Sequence, residues 1–135
     1  MAYIEWTSKL ETGIDAIDKQ HQQLIGFVNE LYEAMHQGKG RLVVGDILSK
    51  LVRYTEYHFA TEEKAFQKYG YSGQKDHEQI HRTLVEKVKD LERRQRTEAV
   101  VVSMETLRFL NEWVTNHIAK EDMAYVPFLK DKAIE

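Results

Sequence analysis

A mostly apolar stripe recurs in four stretches of the chain, with steps that alternate between three and four residues. The first stripe reads His21, Leu24, Val28, Leu31, Met35, and the second Leu48, Leu51, Thr55, His58, Glu62, Ala65, Tyr69. The third reads His77, His81, Leu84, Val88, Leu91, and the fourth Leu107, Leu110, Val114, His117. This spacing places each set on one face of a helix, and that face is expected to point into a core. No alternating strand pattern of useful length competes with it.

Turn signals divide the stripes. Asp15 or Asp18 suits the cap of the first helix, Gly38-Lys39-Gly40 a turn, Gly70 a position just past a helix end, and Ser72-Gly73 the approach to the next helix. Gly45 is a weak point near the start of the second helix. Val100-Val101-Val102 suits either an extended stretch or a helix start, and Ser103 suits an N-cap. The pattern predicts an N-terminal arm over 1–17, helices over about 18–37, 42–69, 73–96 and 103–119, and a short segment over 121–130 around Pro127. Short turns between four amphipathic helices imply an all-α, antiparallel up-down-up-down four-helix bundle, with 1–135 as one domain.

Five of the six histidines lie on these stripes, with Glu62 among them. Buried polar groups need partners and buried charges need strong ones, so the faces demand an explanation beyond packing. In an antiparallel bundle, the starts of the first and third helices lie beside the ends of the second and fourth. His21, His77 and His81 sit near starts; His58, Glu62 and His117 sit near ends. All six are therefore expected at one end of the bundle. The sixth histidine, His36, is about 15 residues from His21, or roughly 22 Å along a helix, and is expected on the far surface.

Composition narrows the chemistry. Cysteine is absent, which excludes disulfides and thiolate metal sites. The net charge of −3 argues against a nucleic-acid partner, and Arg93-Arg94-Gln95-Arg96 reads as a solvated helix end. No stretch is long enough for a membrane span, and Met1 to Leu10 shows no apolar leader run, so the expected setting is the cytoplasm.

His58 and Glu62 are four residues apart, as are His77 and His81, so each pair shares a helical face and can serve one metal or straddle two. His117 and Asp122 are five apart, about 140° on a straight helix, and can meet only if the helix ends or bends between them. His77-Glu78-Gln79-Ile80-His81 matches the H-E-x-x-H protease motif, but that reading lacks a substrate-aligning strand and leaves His21, His58, Glu62 and Asp122 unused. Glu33-x-x-His36 and Glu78-x-x-His81 match the Glu-x-x-His element of di-iron carboxylate bundles but fall toward opposite ends. Glu30, Glu33 and Glu56 read as solvated faces, and Trp6, Phe59, Trp113 and Tyr125 first as packing residues.

The series His21, His58-x-x-x-Glu62, His77-x-x-x-His81, His117-x-x-x-x-Asp122 resembles the seven-ligand signature of the hemerythrin family, specifically single-domain bacteriohemerythrins. The likeness extends through Trp6, Gly13, Gln20-His21, His58-Phe59, Tyr69-Gly70-Tyr71, Trp113, Asn116-His117-Ile118 and Tyr125. It implies two non-haem iron ions with an oxo or hydroxo bridge. One ion would take His77, His81 and His117, the other His21 and His58, with Glu62 and Asp122 bridging. The odd number of imidazoles would leave one coordination position free on the His21/His58 ion, where dioxygen would bind reversibly. The implied role is oxygen storage, delivery or scavenging without catalysis. The alternatives are a redox sensor or a peroxide- or nitric-oxide-handling enzyme, and a protein partner is left open. Leu24, Phe59, Trp113, Val114 and Ile118 would wall the gas pocket, and Tyr125 would support the ligands from behind. The family usually carries leucine where Val114 stands.

Overall fold

The computed structural model describes residues 3–38, 41–97, 104–132 and 134, with the side chains at 41–42, 96–97 and 104–106 excepted. Lys39, Gly40, the Val100–Val102 run and Ser103 lie outside the described residues. Four long helices follow the four stripes: α1 (Asp15–His36), α2 (Arg41–Tyr69), α3 (Gln74–Thr97) and α4 (Met104–Asn116). A π-helical turn (His117–Asp122), a 3-10 turn (Met123–Tyr125) and a short helix α5 (Val126–Leu129) follow α4. Among the described residues there is no strand. None of their helices is long and apolar enough to cross a membrane.

α1 begins at Asp15, three residues before the expected start, and neither expected aspartate caps it. Its N-cap is Ile14, whose N–H donates to Thr12 Oγ1 at 3.0 Å. Asp18 sits in the first turn and reaches back, accepting from Thr12 N–H at 2.8 Å and Gly13 N–H at 3.2 Å. Its carboxylate therefore ties down the arm, and Gly13 supplies the positive φ of 81° on which that turn depends. Gly70 ends α2 at φ 71°, and Tyr71 N–H returns to Phe66 C=O at 3.0 Å, closing a Schellman motif.

α1 packs on α2 and α4, and α2 on α3. The main apolar cluster includes Leu24, Val28 and Leu31 of α1, Leu48, Leu51 and Phe59 of α2, Val88 of α3, and Leu107, Leu110, Trp113 and Val114 of α4. Each fully buried leucine there contributes about 1.5–3 kcal/mol of transfer free energy. A second cluster joins Ile14, Ile17, Ala65, Phe66, Tyr125 and Leu129. Along α1, His21 falls between the two clusters, and along α2 Glu62 falls between Phe59 of the first and Ala65 of the second. Asp122 falls between Ile118 of the first cluster and Tyr125 of the second. A polar layer is thus enclosed by apolar packing above and below.

Candidate metal centre

That layer holds His21, His58, Glu62, His77, His81, His117 and Asp122, each at most 5% exposed. Their donor atoms form two groups, each with its atoms within 4.8 Å of one another. One group is Glu62, His77, His81, His117 and Asp122; the other is His21, His58, Glu62 and Asp122. Both carboxylates belong to both groups, and each divides its oxygens between them. Asp122 Oδ1 lies 3.1 Å from Nε2 of both His77 and His117, while its Oδ2 lies 2.8 Å from His21 Nε2. Glu62 Oε1 lies 3.0 Å from His81 Nε2 and 3.7 Å from His77 Nε2, while its Oε2 lies 3.6 Å from His58 Nε2.

The π turn accounts for the five-residue spacing. Its i→i+5 bonding adds a residue to the turn and returns Asp122 to the face of His117. The same widening lets two neighbouring acids serve one ring. Glu121 Oε2 stands 2.6 Å from His117 Nδ1 while Asp122 faces Nε2.

Other partners fix the remaining rings. His58 Nδ1 lies 2.7 Å from Gln20 Oε1, and Gln20 Nε2 donates to Thr61 Oγ1 at 3.2 Å, which orients the amide. His58 must therefore donate from Nδ1 and aim the Nε2 lone pair inward. Glu63 Oε2, 2.8 Å from His81 Nδ1, sets the same tautomer there. Tyr125, fully buried, donates its hydroxyl to Glu62 Oε2. The sequence reading had Tyr125 behind the ligands but missed Glu63 and Glu121.

The inward atoms have no hydrogen-bond partners. Nε2 of all five imidazoles, Glu62 Oε1 and both oxygens of Asp122 are buried and unsatisfied. Some approach one another closely, but without hydrogen-bond alignment. Each such group costs about 1–3 kcal/mol when left unpaired, so eight in one buried cluster call for cations to complete them. Imidazole and carboxylate donors suit iron, zinc, manganese or cobalt.

Charge at the site follows from the same crowding. Burial opposes a proton on His77, but the Asp122 and Glu62 carboxylates outweigh it and raise its pKa to about 9. Burial likewise opposes a proton on His117, and Asp122 with Glu121 raises it to about 10. For His58 burial prevails over Glu62, and its pKa falls to about 4. Burial and Asp122 push Glu62 up, yet His58, His77 and His81 bring it down to about 2.

The metal-free protein is therefore predicted to be most stable near pH 6.5, the ordinary histidine value. Above it, the folded chain keeps protons on His77 and His117 that the unfolded chain releases, so stability is lost as pH rises toward 9 and 10. Below it, the unfolded chain protonates its His58 first, and stability falls toward pH 4, with a further loss from Glu62 below its ordinary 4.5. Thermal melts of metal-free protein across this range check the profile; a flat course on the alkaline side contradicts it.

The expected pocket residues Leu24, Phe59, Trp113, Val114 and Ile118 are all buried in the main cluster beside the polar layer. Phe59 stacks flat on His81, with ring centroids 3.7 Å apart and planes at 4°, and lies tilted 5.8 Å from His58. It thus touches both groups. Trp113 Nε1 is buried without a hydrogen-bond partner, so this wall carries one polar atom. His36 ends α1, exposed and stacked on Tyr32. Glu30, Glu33 and Glu56 are exposed, and Glu78 is half-buried.

Residues 12–129 match the hemerythrin HHE cation binding domain. The bacteriohemerythrin of Pseudomonas aeruginosa is 34% identical over 136 residues, which cover 100% of this chain and 87% of that protein. That of Methylococcus capsulatus is 34% identical over 130 residues, covering 96% of this chain and 98% of its own. A crystal structure of wild-type hemerythrin superposes with a TM-score of 0.90 at 33% identity, over 96% of this chain and 99% of that one. The chain belongs to the hemerythrin family. Hemerythrins bind oxygen at a non-haem di-iron centre, and the His/Glu/Asp cluster of this hemerythrin fits such a centre.

Proposed function

We infer that this hemerythrin binds dioxygen reversibly, for storage, delivery or scavenging in the cytoplasm, and does not turn it over as an enzyme. In this reading His77, His81 and His117 would hold one iron, His21 and His58 the other, and Glu62 and Asp122 would serve both. The observation that carries it is the division of the two carboxylates, each offering one oxygen to a three-histidine group and the other to a two-histidine group. When bound, the iron pair would supply redox-active ions, and the odd number of imidazoles would leave room for a small ligand beside His21 and His58.

The chain's own residues favour holding a gas over protonating it. Glu62 and Asp122 are held ionised, Glu62 with a pKa of about 2 and Asp122 well below the usual range, so neither offers a proton. The hydroxyl of Tyr125 is committed to Glu62, and burial, with the two carboxylates, pushes its pKa well up. Glu63 and Glu121 face the outer nitrogens of His81 and His117. Leu24, Phe59, Val114 and Ile118 supply a dry apolar wall that slows proton entry.

Reduced, iron-loaded protein is expected to take up about one dioxygen per iron pair and to release it under vacuum over repeated cycles. Sustained turnover with a reductant, or uptake without release, would overturn the reading. Val114 is 2% exposed, and the side chain is one methylene shorter than the family's usual leucine. Val114→Leu should narrow access, so the oxygenated parent is predicted to autoxidise faster than this variant. Equal or slower decay of the parent counts against that role; unchanged circular dichroism excludes an overpacking artefact.

A further inference from the structure

The acceptors behind the imidazoles are unevenly distributed. Among the described residues, both carboxylates that accept from an outer nitrogen, Glu63 on His81 and Glu121 on His117, serve the three-histidine group. In the two-histidine group, His58 has only the neutral amide of Gln20, and His21 Nδ1 is buried with no hydrogen-bond partner. An amide fixes a ring's tautomer. A carboxylate does that and also raises the basicity of the ring as a ligand. Glu63 and Glu121 are 32% and 36% exposed, at the rim of the buried layer. Glu63 also lines a surface groove of about 270 Å³ between α2 and α3. The negative charge of this outer layer is therefore placed on one side of the cluster.

We propose that Glu63 and Glu121 are positioning residues that make the three-histidine position the tighter of two metal positions, so that it fills first. The proposal rests on the reading that the cluster holds a metal pair. Three imidazoles against two already favour the same order, so the glutamates have to be tested by removing their charge alone. Glutamine at 63 or 121 can still accept the Nδ1 proton and keep the ring in place.

The experiment is a calorimetric titration of the metal-free full chain with cobalt(II), with the paramagnetically shifted imidazole N–H signals followed by NMR. The parent is expected to take up cobalt in two steps, the first shifting His81 and His117. Glu63→Gln and Glu121→Gln should each weaken the first step about 10–100-fold and leave the second unchanged. Glu86→Gln, which removes a charge from the same groove without touching an imidazole, should leave both steps unchanged. First-step signals from His21 and His58, an unaltered first step in both variants, or equal weakening of both steps overturns the proposal while the metal pair stands. Uptake of fewer than two cobalt ions by the parent overturns the metal-pair reading as well.

Discussion

Asp122→Ala is expected to empty both metal positions at once. Asp122 Oδ1 faces His77 and His117, and Oδ2 faces His21, so one substitution removes a donor from each group. The remaining carboxylate, Glu62, cannot replace it, because its two oxygens are already divided in the same way. Loss should scale with a residue's place in the two groups. His21→Ala, confined to the two-histidine group, should leave about one iron per chain. His36→Ala, at the exposed end of α1, should leave about two. Iron per chain after desalting measures the series, with circular dichroism showing that each variant folds. Full iron content in Asp122→Ala, or equal losses in His21→Ala and His36→Ala, would contradict the division of donors described above.

Removal of the metals should cost much of the protein's stability. The eight unsatisfied atoms are buried, and the two carboxylates among them repel each other. A folded chain that binds metal, against an unfolded one that does not, gains about 4 kcal/mol when free metal exceeds its dissociation constant by a thousandfold. For a domain of this size that corresponds to roughly 15 °C in Tm. The chelated protein is expected to melt lower by about that amount at neutral pH and to recover on addition of iron. A shift below about 3 °C would mean that the cluster satisfies itself without cations. Because protons and metals compete for the same Nε2 lone pairs, the loaded protein should also lose metal on acidification.

Much of this arrangement was legible because helical phase is a local property. The steps of three and four in each stripe placed His21, His58, Glu62, His77, His81 and His117 on inward faces, and antiparallel topology placed them at one end. The relation of His117 to Asp122 shows where that logic needs the structure. On a regular α-helix the two point apart, and only the π turn brings them together. The sequence signalled a required end or bend there, but could not say that the backbone would widen instead.

The outer acceptors were harder to see, for different reasons. Glu121 lies four residues after His117, a spacing that brings helical side chains together, but nothing in the sequence sets it apart from other charged residues near a helix end. Glu63 meets His81 across the interface between α2 and α3, and no local period encodes that contact. Next to Glu62 it resembles any solvated position. The helix start was missed in a similar way. Asp18 looked like a cap, but its carboxylate reaches back to the backbone of Thr12 and Gly13, while Thr12 serves Ile14.

One buried cluster is proposed to hold two ions through shared carboxylates. Anomalous diffraction at the iron edge from crystals of iron-loaded protein tests it most directly. Two peaks should appear per chain, one among the Nε2 atoms of His77, His81 and His117, the other beside those of His21 and His58, with Glu62 and Asp122 reaching both. A single peak, or iron bound away from these side chains, would contradict it.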